Sequence, residues 1–269
     1  MEPDYYLRDL VADDWSKFNE IDKLIFPDEQ MRESSFMSGL SGLKSLSVIA
    51  VHKDSKDFVG YYKIGVYGNE GHVMRIGVHP EHRRKGLGSH LLERSMHHLK
   101  NAGCKSYYLY VVEDNKAAID LYKKQGYEVD KKSWQFIFPY KKLTKKPRGK
   151  IRHVEWGEIQ MICLRFNLNP VLIQQYFGRE NQHVLVFEVM GQQIGFTRFS
   201  PDFPGGMPFL LKDPSYAIDF VSHLKSYITN PEFDSIKTTF DNQERLVEYL
   251  QKEKIKVNYE LLKMRRLAD

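Results

Sequence analysis

A short basic segment that ends in two closely spaced glycines is the part of the chain best suited to chemistry: Arg83-Arg84-Lys85-Gly86-Leu87-Gly88. It follows an apolar run at 73–78, typical of a buried strand, and precedes a helical pattern at 87–100. The first amides of a helix lack partners within the helix, so together with the helix dipole they bind anions. Glycine allows close approach to the backbone. The segment predicts a phosphate-binding loop.

Two familiar phosphate-binding patterns do not fit this loop. A dinucleotide fingerprint requires Gly-x-Gly-x-x-Gly, and a Walker loop requires Gly-Lys followed by Ser or Thr. A pair of glycines also occurs where a strand simply turns tightly into a helix. Taken alone, the loop leaves two interpretations open, an anion site and a structural turn.

The elements that must position the loop alternate between strand and helix patterns. Helical spacing is present first at 13–26, and β-rich segments follow it. The predicted elements after that helix are strands at 46–51, 58–67 and 73–78, a helix at 87–100, a strand at 107–112, a helix at 115–125 and an aromatic strand at 134–140. This order predicts a mixed α/β domain.

Two segments carry a resemblance to a known family. Val78-His79-Pro80 with Arg83-x-x-Gly86-x-Gly88 resembles motif A of the GNAT superfamily of acetyltransferases. Asn115-Lys116-Ala117-Ala118-Ile119-Asp120-Leu121-Tyr122-Lys123-Lys124-Gln125-Gly126-Tyr127 resembles its motif B. The resemblance spans about residues 72–127. It implies the GNAT α/β fold and an enzyme that moves acetyl from acetyl-CoA to a primary amine by direct attack.

The resemblance also implies which residues hold acetyl-CoA. The pyrophosphate is expected on the loop amides, and the pantetheine arm is expected to pair with the strand before the loop. Asn115 is expected to contact that arm, although asparagine in this place also caps helices well. The expected cofactor-binding residues are Ile76, Gly77, Val78, Arg83, Arg84, Lys85, Gly86, Leu87, Gly88, Ser89, Asn115 and Tyr122. No metal site is expected.

Tyr122 is the general acid that the resemblance implies. It follows Asn115 by about two helical turns, so both lie on one helix face; a core tyrosine is the alternative. The base stays open between His72 and Glu70, and a histidine titrates near neutral pH. A surface histidine without a catalytic role is an equal alternative. Members that acetylate protein N-termini often carry a glutamate where Tyr110 stands, so that mechanism is not carried over.

The sequence does not indicate the chemical class of the amine acceptor. The resemblance places acceptor specificity in the segments 26–43 and 134–140. The first contains Asp28, Glu29 and Glu33, which suit a cationic acceptor and equally suit a solvated loop. A CoA-binding sensor or interaction module that has lost catalysis is the alternative function.

The second half repeats the element order of the first. A basic run at 141–150 separates the halves, so we predict a catalytic domain over 1–143, a linker over 144–150 and a degenerate copy over 151–269. Lys212-Asp213-Pro214-Ser215-Tyr216-Ala217-Ile218-Asp219 replaces the glycine loop, and Asp219 would repel phosphate. Asn242 and Tyr249 retain the seven-residue spacing of motif B.

The composition excludes several classes of protein. The 269 residues carry a formal charge of +5 and only two cysteines, which predicts a cytoplasmic protein without a disulfide framework. No apolar stretch reaches the roughly 18 residues of a membrane span. The modest charge indicates a solvated lysine-rich surface, and nucleic acid is not expected as a partner. The oligomeric state, monomer or homodimer, is left open.

Overall fold

The computed structural model describes residues 4–27, 29–40, 45–179, 181–202 and 204–268. Contacts divide the chain into two compact units. Unit 1 comprises Met1–Asp130 and Met264–Asp269, and unit 2 comprises Lys131–Lys263. This division is spatial; the predicted division by sequence copy, with its linker at 144–150, stays a prediction.

Unit 1 contains helices and strands that belong to a mixed sheet. Its elements are β1 (Tyr5–Asp9), α1 (Trp15–Ile25), α2 (Glu33–Leu40), β2 (Ser45–His52), β3 (Phe58–Tyr67), β4 (Glu70–Val78), α3 (Leu87–Asn101), β5 (Ser106–Val112) and α4 (Lys116–Lys124). The sheet order is β1-β2-β3-β4-β5. Neighbouring strands are antiparallel except β4 and β5, which are parallel. The chain's last segment also belongs here, since the Ala268 amide donates to the Lys105 carbonyl at 2.9 Å.

Unit 2 repeats this succession of elements. They are β6 (Glu128–Pro139, which begins at the end of unit 1), β7 (Lys150–His153), α5 (Ile159–Arg165), α6 (Pro170–Gln174), β8 (His183–Val189), β9 (Gln192–Ser200), β10 (Gly205–Leu211), α7 (Ala217–Leu224), β11 (Ser235–Asp241), α8 (Glu244–Lys252) and β12 (Lys256–Leu267). The parallel pair is here β10 with β11. The predicted mixed α/β fold with a repeated element order is confirmed.

Apolar periodicity explains how the helices of unit 1 pack. In α3 the buried apolar side chains are Leu87, Leu91, Leu92, Met96 and Leu99, which recur at helical spacing. Each fully buried leucine contributes about 1.5–3 kcal/mol relative to an exposed one. This burial fixes α3, and therefore the position of the amides at its first turn.

Several boundaries differ from the sequence predictions. β4 begins at Glu70 and not at 73, so Glu70 and His72 lie inside the strand. Part of the predicted acceptor segment forms α2, while Asp28 and 41–43 lie outside the described residues. The helix predicted over 217–228 ends at Leu224 and continues as a 3₁₀ turn. The strands β1 and β7 carry weak patterns and were missed, β7 because it has only four residues.

Candidate active site

The two parallel strands of unit 1 separate near their middle. β4 and β5 are paired at Glu70 with Ser106, Gly71 with Tyr107 and His72 with Tyr108. Among the described residues, the ladder between them does not continue past these three pairs. The remaining part of β4, up to Val78, therefore has one backbone edge without a strand partner, and such an edge can accept an extended ligand.

The direction of the backbone groups on that part of β4 follows from its pairing with β3. The His79 amide donates to the Val59 carbonyl at 2.9 Å. Because alternate residues of an antiparallel strand bond to the partner strand, Gly77 also faces β3, while Ile76 and Val78 face the opposite edge. The Val78 carbonyl accepts a hydrogen bond there from Arg83 Nε at 3.1 Å. The two residues expected to pair with pantetheine thus present their backbone to the separation.

The glycine loop has a backbone that only glycine adopts easily. Gly86 precedes α3 with φ of 84°, and Arg84 also has a positive φ of 60°. A Cβ atom built on Gly86 meets nothing within 4 Å, so the space in front of this turn is open. The first helical bond joins the His90 amide to the Gly86 carbonyl at 3.1 Å. The amides of 87–89 precede it and have no helical partner.

Tyr122 lies on α4 and is buried. Only 7% of its surface is exposed, and burial raises its pKa to about 12. The nearest ring is that of Tyr127, with 6.1 Å between ring centres. Within the part of the chain that the structure describes, the Tyr122 hydroxyl has no hydrogen-bond partner. The phenol is therefore protonated at neutral pH.

Asn115 caps the helix that carries Tyr122. Its Oδ1 accepts a hydrogen bond from the Ala118 amide at 3.2 Å. This is the capping role expected as one of the two alternatives. The amide group Nδ2 is not used by the cap, so the contact with the cofactor arm stays a prediction.

His72 lies among aromatic rings at the residue where the β4–β5 ladder stops. It stacks on Tyr108 with 4.3 Å between ring centres and 15° between planes. Tyr110 and Tyr67 lie at 6.0 and 6.3 Å. The imidazole is half-buried, and its place at the start of the separation suits a proton acceptor.

Glu70, the second candidate base, is held by an ion pair. Its Oε1 lies 2.7 Å from Arg265 Nη2, and its side chain is only 18% exposed. Asp130 lies at 3.6 Å from the Nε atom of the same arginine. A carboxylate held in this way must break its ion pair with Arg265 before it can accept a proton from a substrate amine. The geometry therefore favours His72 over Glu70 as the base.

A buried polar network next to β4 was missed from the sequence. Asp22 of α1 is fully buried, and it accepts hydrogen bonds from the hydroxyl of Tyr61, from Arg75 Nη2 at 3.3 Å and from the Met31 amide at 2.6 Å. Arg75 Nε also donates to the Tyr61 hydroxyl at 2.8 Å. The network connects β4, the strand before the glycine loop, to the segment 26–43 that is expected to bind the acceptor. The only signal was an aspartate at an apolar position of α1.

In unit 2, the segment predicted to replace the glycine loop binds an arginine of the basic run. Arg148, from the basic run, donates to Asp219 through its amide at 2.8 Å and through Nη2 at 2.7 Å. It also donates to the Ser215 carbonyl at 2.8 Å and lies over the Tyr216 ring at 4.2 Å. Asp219 thus forms an ion pair with Arg148.

Residues 7–127 match the model of the Acetyltransferase (GNAT) family. This part of the chain, which contains both motifs, is therefore similar to the GNAT family. Solved structures extend the likeness of fold to both halves. A putative acetyltransferase from Pyrococcus horikoshii has a TM-score of 0.74 at 15% identity, over 100% of this chain and 91% of that one. A GCN5-related N-acetyltransferase from Sphaerobacter thermophilus has 0.73 at 13% identity, over 99% and 97%.

A tandem GNAT protein from the clavulanic acid biosynthesis pathway has a TM-score of 0.69 at 11% identity, over 98% of this chain and 99% of that one. At these identities the likeness concerns the fold, which is the tandem GNAT fold. The described residues contain no group of three or more metal-ligating side chains in binding geometry. None of the described helices combines the length and the hydropathy that crossing a bilayer requires.

Proposed function

We propose that this protein transfers the acetyl group of acetyl-CoA to a primary amine. The observation that carries the proposal is the separation of β4 from β5, which leaves the edge of β4 at Ile76 and Val78 without a strand partner beside the glycine loop. An extended pantetheine arm fits such an edge as an added strand. The open turn at Gly86 and the first amides of α3 fit its pyrophosphate.

The reaction requires two proton movements at this site. The amine nitrogen attacks the thioester carbon, the carbon–sulfur bond breaks, and the amine loses a proton while the thiolate gains one. Tyr122 is proposed to donate to the sulfur. With a pKa of about 12 the phenol starts in the protonated form, and its hydrogen bond strengthens as negative charge develops.

His72 is proposed to accept the proton of the amine, directly or through one water molecule. An imidazole exchanges protons near neutral pH, and this one lies at the opening between the strands. An α-amine with a pKa near 8 is roughly a tenth neutral at pH 7, and a lysine amine is far less so. A histidine base therefore suits an acceptor of low pKa better than a lysine side chain.

The test is thiol release from acetyl-CoA across a panel of peptides, polyamines, aminoglycosides and amino acids. Acceptor-dependent release supports the transferase and defines the acceptor class. If CoA binds by calorimetry but no acceptor stimulates release, the sensor function gains the support that the transferase loses. If CoA does not bind, both are refuted.

Two neighbouring tyrosines provide a matched pair of variants. Tyr122→Phe removes the proposed acid, and a loss of about 10²–10⁴-fold in kcat is expected with unchanged CoA affinity. Tyr127→Phe is the control, because the Tyr127 hydroxyl is also buried and has no hydrogen-bond partner. Its removal is expected to leave kcat within about twofold and to change stability by less than about 1 kcal/mol. Equal activities of the two variants would remove Tyr122 from the mechanism.

A further inference from the structure

Three histidines lie beside the start of the glycine loop, outside the residues used above. His52 ends β2, and His79 and His82 flank the 3₁₀ turn that follows β4. The ring centre of His82 lies 5.8 Å from that of His52 and 5.7 Å from that of His79. Lys85, in the loop, interacts electrostatically with His82. We refer to these four residues as the histidine cluster.

The cluster has little negative charge of its own. The Nδ1 atoms of His79 and His52 accept hydrogen bonds from the amides of Glu81 and Ser55, at 3.4 and 3.3 Å, which uses the unprotonated form of that nitrogen. The carboxylate of Glu81 acts to raise the pKa of His82. Burial, followed by Lys85 and the other two histidines, outweighs it, so that pKa is lowered.

An anion would reverse this balance. A phosphate dianion beside the cluster compensates the repulsion that Lys85 and the other two rings exert on the charged form of His82, so binding of the anion favours binding of a proton by His82. The amides at the first turn of α3 are already assigned to the pyrophosphate, and the cluster lies before them in the chain, with Lys85 between. CoA carries one more phosphate, a monoester on its ribose.

We propose that the histidine cluster binds the 3′-phosphomonoester of CoA and that His82 takes up a proton as it does so. The inference rests on the proposed function, because it requires CoA in the site. It assigns to His52, His79 and His82 a part in selecting CoA over dephospho-CoA. It also makes that selection stronger as the pH falls toward the ordinary pKa of histidine, about 6.5.

Calorimetry with CoA and dephospho-CoA, both at about pH 6.5 and about pH 8, tests the proposal. We expect the preference for CoA to be about fivefold or more at the lower pH and about twofold at the higher, as a phosphate gains partly buried cationic partners. At about pH 7 the phosphomonoester is mostly a dianion. Two buffers of different ionisation enthalpy should then reveal proton uptake with CoA and none with dephospho-CoA.

Two histidine variants and one competitor complete the test. His82→Gln should remove most of the pH-dependent part of the preference, and His97→Gln, an exposed position on α3, should retain it. Inorganic phosphate should weaken the binding of CoA more than that of dephospho-CoA. Equal affinities for the two ligands, an unchanged preference in His82→Gln, or equal competition by phosphate would each overturn the subsite while leaving the transferase intact. Failure of both ligands to bind would instead refute the proposed function.

Discussion

The Tyr61 hydroxyl should contribute more to the stability of unit 1 than an ordinary buried hydroxyl. It donates to the carboxylate of Asp22 and accepts from the guanidinium of Arg75, so both of its hydrogen bonds involve a charged group. A hydrogen bond of this kind is worth about 1.5–3 kcal/mol. Tyr61→Phe leaves Asp22 its bonds to Arg75 and to the Met31 amide. We therefore expect the loss of roughly 2–4 kcal/mol, less than the sum of two full bonds.

Native-state hydrogen exchange is the appropriate assay, because it reports the free energy of opening separately for the strands of each unit. Tyr62→Phe is a matched control on the same strand. Tyr62 is also fully buried, but its hydroxyl bonds to Nδ1 of His98 at 2.8 Å. Burial lowers the pKa of His98, so this pair is neutral near pH 8 and its loss should cost about 1 kcal/mol. Equal losses in the two variants, or a smaller one for Tyr61→Phe, would refute the reasoning.

Two further predictions concern unit 2. Arg148→Met leaves Asp219, whose side chain is 9% exposed, without its cation. We therefore expect the free energy of opening measured by hydrogen exchange in α7 to fall by about 1–3 kcal/mol. An unchanged value would contradict this expectation. Arg152 donates to both Glu158 and Glu188, and its hydrogen bond lowers the pKa of Glu158. That stabilisation should be complete above about pH 4.5 and lost as the pH falls through the lowered pKa. In Arg152→Met, the protection of the β7 amides from hydrogen exchange should therefore change less between neutral and acidic pH.

The parts of the site that could be predicted are those defined by neighbours in the sequence. A glycine before a helix, as at Gly86, and an asparagine at a helix start, as at Asn115, have local physical reasons, and both lie where the patterns place them. The strands around them follow from apolar runs. The seven-residue spacing that put Tyr122 on one face with Asn115 is likewise a property of a single helix.

The parts that could not be predicted depend on contacts between distant residues. Asp22 and Arg75 are 53 positions apart, and nothing in α1 indicates which strand would supply the cation. Arg265 holds Glu70 from the far end of the chain, which changes the assessment of Glu70 as a base. The basic run was predicted to be a plain linker, yet its Arg148 is bound to α7. Contacts of this kind depend on the tertiary fold, so they produce no periodic pattern in the sequence.

The assignment of 264–269 to unit 1 has a consequence for synthesis. Ribosomes add about 5–20 residues per second. Residue 264 therefore follows residue 130 by roughly 7–27 s at those rates. During that time Glu70 lacks Arg265, and the Lys105 carbonyl lacks the Ala268 amide. The half that carries the glycine loop is thus translated first, but it acquires these two contacts only after unit 2 has been synthesised.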